Sequence, residues 1–168
     1  YFVPRLIETG MVQELDHSKL PNLDNLLPKF KDPSYDPGNT YTAAYQWGTT
    51  GLIYNSESLG DVPNSWSVMF DSDVNPDYPF ALISDGQVTI GLACAYLGHG
   101  YPCPDQEQWK QAAPLVLETK GRANFSGFND GTPQLQQIAQ GVIHAGMSYN
   151  GDYLFYKAED PEAYENIE

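Results

Sequence analysis

Two carboxylates stand where a helix is about to begin. Asp85 lies in Ser84-Asp85-Gly86, directly after the apolar run Phe80-Ala81-Leu82-Ile83, and Asp152 follows Tyr149-Asn150-Gly151 at the end of the β-prone run Val142 to Tyr149. Paired acids flanking a cleft can hydrolyse glycosides, with their separation setting the stereochemical outcome. An Asp in the first turn of a helix instead caps backbone N–H groups and complements the helix dipole. An acidic chain offers many such pairs, so this one is weak evidence for a secreted hydrolase. Nucleophilic chemistry has less to draw on: His17, His99 and His144 fall in a turn, a Gly-rich loop and a strand start, and no Gly-x-Ser-x-Gly elbow or Gly-x-x-x-x-Gly-Lys phosphate loop occurs. Cys94 and Cys103 lie nine positions apart with Gly98, Gly100 and Pro102 between them. A disulfide closing that loop would contribute about 2–3 kcal/mol in an oxidising compartment, and two unpaired thiols fit the spacing as well. With His99 as the only nearby helper, the three or four ligands of a zinc site are not assembled, and no metal or cofactor is expected.

The elements that must position these groups read as an α/β chain. Pro4 near its start and Gly10 at its stop frame a two-turn helix. The segment from Phe30 to Thr40 is loop, punctuated by Asp32-Pro33, Asp36-Pro37 and Gly38-Asn39. Tyr41 to Asn55 is rich in β-branched and aromatic residues and reads as one extended strand bent at Gly48 to Gly51. Ser65 is placed to cap a short helix through Phe70. Phe80–Ile83 is a buried strand, and Gln87 to Leu97 is a helix closed by Gly98, an order that puts Asp85 at a strand's carboxyl end. A helix from Asp105 to Thr119 is interrupted near Pro114. Thr132-Pro133 caps a helix that stops at Gly141, Val142 to Tyr149 is a strand, and Asp152 heads a last helix.

Composition removes whole classes of partner. Eight Lys and Arg against 22 Asp and Glu give a net charge of −14, which argues against nucleic acid because phosphate binding needs clustered bases. No apolar run approaches the roughly 18 residues of a membrane span. The excess of acids attracts cations to the surface without making a site by itself. The chain opens at Tyr1 with no leader to read, which fits either a removed signal peptide or a fragment.

Several stretches, taken in order and spacing, resemble one family. They are Tyr1-Phe2-Val3 with the helix to Gly10, Leu15-Asp16-His17-Ser18-Lys19-Leu20-Pro21-Asn22-Leu23, Tyr35-Asp36-Pro37, Tyr45-Gln46-Trp47-Gly48-Thr49-Thr50-Gly51 with Tyr54-Asn55, and Gly146-Met147-Ser148-Tyr149-Asn150-Gly151-Asp152. From Tyr1 to about Asp160 the chain resembles the spermidine/putrescine-binding proteins, the extracytoplasmic receptors of polyamine ABC importers. The resemblance implies a two-lobed periplasmic-binding-protein fold of type II, with residues 1–48 as the terminal part of an incomplete lobe one, Thr49 and Thr50 at the hinge crossing, and 51–168 as most of lobe two. It also implies a periplasmic or extracellular location, a polyamine ligand, a membrane permease as partner, and no catalysis.

A polyamine carries ammonium groups along a slender aliphatic chain, so its site needs spaced carboxylates and flat ring faces. Position by position, the resemblance assigns ligand contact to Tyr1, Asp85, Tyr149, where the family usually has Trp, and Asp152. Each has a plainer alternative: a surface ring for Tyr1 and helix capping for the two acids. Phe128, Asn129 and Asp130 are expected either as a lip of the cleft or as a solvated loop. Three residues past Asp85, where the family often carries Glu, stands Val88. That departure points away from spermidine to a shorter diamine, a differently charged ligand, or an acid supplied from elsewhere, such as Asp130 or lobe-one segments outside this chain. Receptors of the same fold for iron, thiamine, opines or amino acids are the alternative.

Overall fold

The computed structural model describes residues 2–168, and the chain divides into two compact units, Tyr1–Trp47 and Gly48–Glu168. In the first unit, helix α1 (Val3–Glu8) ends where the N–H of Gly10, at φ 67°, meets the Ile7 carbonyl and the N–H of Met11 meets that of Leu6. That paired closure is why the helix stops at a glycine. Single 3-10 turns follow at His17–Lys19, Pro21–Asn25, Pro28–Phe30 and Pro37–Asn39.

Side chains rather than a sheet hold this unit's loop together. The Asn39 side chain accepts from the N–H of Asp32 and donates to the carbonyls of Phe30 and Thr42. The buried Asp36 carboxylate accepts from the backbone N–H groups of Tyr41 and Thr42 and from the Thr42 hydroxyl, the last two at 2.7 Å. Burial alone would raise its pKa, but those hydrogen bonds outweigh burial and hold it below the ordinary 3.8. A carboxyl depressed by folding stabilises the fold above its unfolded pKa and loses that contribution as pH falls through the folded value. We therefore expect Asp36→Ala to cost about 2 kcal/mol at neutral pH, measured as lost hydrogen-exchange protection at Tyr41 and Thr42. The difference from the parent protein should shrink on acidification below about pH 3.8.

The second unit is a four-stranded sheet with helices on both faces. The strands are β1 (Thr50–Tyr54), β2 (Phe80–Ile83), β3 (Phe125–Asn129) and β4 (Ala145–Tyr149), in the order β1-β4-β2-β3. β2 runs parallel to β3 and β4, while β1 is antiparallel to β4 with Thr50 opposite Tyr149. The carboxyl ends of β2, β3 and β4 therefore share one edge. Helices α2 (Ser56–Leu59), α3 (Ser67–Phe70), α4 (Gly86–Tyr96), α5 (Gln106–Lys120), α6 (Gly131–Ala139) and α7 (Asn150–Glu159) connect and follow them. One face buries Phe80, Leu82, Met147 and Ala145 with Val68, Met69, Leu92 and Ala112. The other buries Ile53 and Ala81 with Leu135, Ile138, Tyr164 and Ile167.

Three expectations from the sequence are corrected here. Regular strand structure begins only at Thr50, because among the described residues no strand lies beside 41–49 to complete a ladder. Helix α5 runs unbroken through Pro114; both Pro114 and Lys110, whose carbonyl loses its helical donor, lie on the solvent face. Phe128 and Asn129, expected as a lip of the cleft or a solvated loop, belong to strand β3, which Ser126, Gly127 and Asn129 mask in the sequence. Its register steps from Phe80↔Phe125 to Leu82↔Phe128, one residue longer on β3, with Gly127 at φ 125° absorbing the extra residue.

Candidate functional site

The shared carboxyl edge of the three parallel strands collects the chemistry. Asp85 follows β2 and caps α4, its Oδ1 accepting from the N–H groups of Gln87 at 2.9 Å and Val88 at 3.1 Å. Asp130 follows β3 and accepts a hydrogen bond from the Ser84 hydroxyl, which ties the ends of β2 and β3 together. Asp130 stands at the N-cap position of α6 without capping it through its side chain. Asp152 sits in the first turn of α7, where Thr132 of α6 donates its hydroxyl to Oδ2 at 2.5 Å. Thr132, expected as a helix cap, thus serves to orient an acid instead. Tyr149 ends β4, 41% exposed, with its ring against the first residue of α6; a methyl added at Gly131 would lie 3.2 Å from the ring.

One group reports on all three acids. The Tyr149 phenol is raised above its ordinary 10.0, by burial first and then by Asp85, Asp130, Asp152 and Tyr101. Three of those groups are carboxylates that follow three different strands, so the phenol sits in a negative field. A field of that sign at a half-open aromatic face attracts a cation bearing aliphatic surface. Among the described residues no three His, Cys, Asp or Glu groups converge as a metal site.

Asp85, Tyr149 and Asp152 are thus brought together with Asp130. Tyr1 lies outside the described residues. Phe128 stands within β3, 41% exposed, its ring meeting Phe125 edge-on at 5.1 Å, and Asn129 turns inward to donate to Gln137. Of that trio, Asp130 is the one tied to the acid edge. Val88 is buried in the apolar core, so α4 supplies no acid one turn beyond its cap. Cys94 and Cys103 are joined by a disulfide. The sequence reading missed Tyr101, whose only sequence signal is an aromatic ring inside the loop between two cysteines.

Where β1 enters this edge, Asn150 pins Thr49. Its Oδ1 accepts from the Thr49 N–H at 3.0 Å, and its own N–H donates to the Thr49 carbonyl at 3.0 Å. A side chain at Gly48 would come within 2.9 Å of that same Oδ1, which is why glycine precedes the threonines.

The sequence profile of the bacterial extracellular solute-binding proteins matches residues 1–167. The chain belongs to that family. Among its relatives, the putrescine/cadaverine-binding protein of Pseudomonas aeruginosa is 33% identical over 96% of this chain and 46% of its own. Spermidine/putrescine-binding periplasmic protein 1 of Haemophilus influenzae is 31% identical over 95% and 43%. A solved Listeria monocytogenes structure named for a spermidine/putrescine ABC transporter superposes with a TM-score of 0.80 at 30% identity, covering all of this chain and 49% of that one. The chain spans about half the length of the relatives it matches. The chain has the α/β fold that its sequence implied.

Proposed function

We propose that this solute-binding protein is an exported, non-enzymatic receptor that captures a di- or polyamine and delivers it to the permease of an ABC importer. The observation that carries the reading is the gathering of Asp85, Asp130 and Asp152 with the Tyr149 ring where the adjacent strands β4, β2 and β3 end and their helices begin. Asp85 and Asp152 pair with ammonium groups, Tyr149 covers the methylenes between them, and Tyr1 adds a second ring. Residues 51–168 act as most of one lobe and 1–48 as the terminal part of the other, with Thr49 and Thr50 at the hinge. The relatives' names support the ligand class. Val88 in the core favours a ligand with two ammonium groups over one with three.

Isothermal calorimetry on the intact protein tests this with putrescine, cadaverine, spermidine and uncharged 1,4-butanediol. The diamines should bind most tightly, the diol should give no heat, and affinity should fall as salt is raised because screened ion pairs carry part of it. Absence of heat with every amine, or affinity indifferent to salt, would overturn the reading.

A further inference from the structure

We propose that Tyr101 is a further aromatic wall of this ligand site, seated on α4 and facing Tyr149 across the acid edge. The inference rests on the polyamine reading and adds a residue that specifies the chain between the charges. Its ground is packing. A methyl built on Gly91 would lie 2.5 Å from Cε2 and 2.8 Å from Cδ2 of Tyr101, so the ring rests directly on the bare helix backbone that glycine leaves open. Gly91 lies six residues along the helix that Asp85 caps, about 9 Å of axial rise, so the ring and the carboxylate belong to the same half of α4.

The loop that carries Tyr101 is tied back to α4. Tyr101 is two residues from Cys103, whose disulfide to Cys94 returns the loop to the same helix one turn beyond Gly91. The ring is backed by α4 yet 56% exposed, so its outer face is open to a ligand. Its phenol is raised above 10.0 by burial first and then by Asp85, and Tyr149 is raised in part by Tyr101, which puts the two phenols and the acid within electrostatic reach of one another. Two rings bracketing a carboxylate form a slot for a methylene chain ending in an ammonium group.

The test measures putrescine and cadaverine affinity by calorimetry in the intact protein carrying Tyr101→Ala, Gly91→Ala, both together, or Asp85→Asn. Tyr101→Ala should weaken diamine binding about tenfold without moving the melting temperature. Gly91→Ala adds a methyl that displaces the ring while improving helix propensity. It should weaken binding several-fold in the parent and have no further effect once Tyr101 is alanine, a coupling that a purely structural role would not produce. Diamine affinity within twofold of the parent for Tyr101→Ala, beside a clear loss in Asp85→Asn, would overturn the role of Tyr101 and leave the polyamine reading standing. A loss in Tyr101→Ala with Asp85→Asn unchanged would uphold the ring and remove the carboxylate from the site. A parent protein that binds no amine would overturn both.

Discussion

Replacing Asp85 by asparagine is expected to lower putrescine affinity by about 10- to 100-fold while shifting stability by less than about 0.5 kcal/mol. The substitution separates two roles that the side chain serves together. Capping uses Oδ1 as an acceptor for the N–H groups of Gln87 and Val88, and asparagine keeps an oxygen there and ranks beside aspartate as a helix cap. What it removes is charge. An ammonium group held against a partly desolvated carboxylate forms the stronger, orienting class of hydrogen bond, whose loss is worth about 1.5–3 kcal/mol. The matched control is Asp105→Asn. Asp105 caps α5 in the same way, accepting from the Gln108 N–H at 3.0 Å, but it does not figure in the field at Tyr149. Thermal melts should show the two variants alike, and calorimetry should show only Asp85→Asn impaired. Equal affinities in both would reduce Asp85 to a helix cap.

What was legible in the sequence follows from what kind of force sets each feature. Phe80–Ile83 and α4 declare themselves locally, one as an uninterrupted apolar run and the other by a capping Asp and a closing glycine, so the strand–Asp–helix unit and its placement of Asp85 could be read directly. β3 could not. Its sequence Phe-Ser-Gly-Phe-Asn has neither alternation nor β-branched residues, and it is a strand because β2 offers a parallel edge and Gly127 bends to meet it. The same division runs through the site. Asp85, Tyr149 and Asp152 are assigned to the ligand by the resemblance, and the short motifs around them place each beside a strand end. Thr132 and Tyr101 depend on contacts to other elements, Thr132 reaching Asp152 on α7 and Tyr101 lying on Gly91 of α4, and no local spacing announces either.

Gln134 is the clearest case of a tertiary demand hidden behind an unremarkable residue, and its removal should be the most damaging single change to the second unit. Glutamine on a helix is ordinarily a solvated residue, yet this one is fully buried beneath the sheet. Its Nε2 donates to the Asn129 carbonyl at 2.8 Å, and its Oε1 accepts from the Met147 N–H at 2.8 Å. One amide therefore links the end of β3, which carries Asp130, to the end of β4, which carries Tyr149. Gly146 makes room for it, since a methyl there would lie 2.6 Å from Oε1. Gln134→Ala leaves the Met147 N–H buried without a partner and opens a void, which together should cost about 3–5 kcal/mol. For a chain of this size the melting temperature should fall by roughly 6–20 °C. Gly146→Ala alone should also destabilise, by forcing the amide out of place. In the Gln134→Ala background the added methyl enters space the amide has vacated, so the second substitution should cost much less there. Calorimetric melts of the four proteins measure that coupling, and simple additivity would mean that Gln134 and Gly146 do not act as one unit.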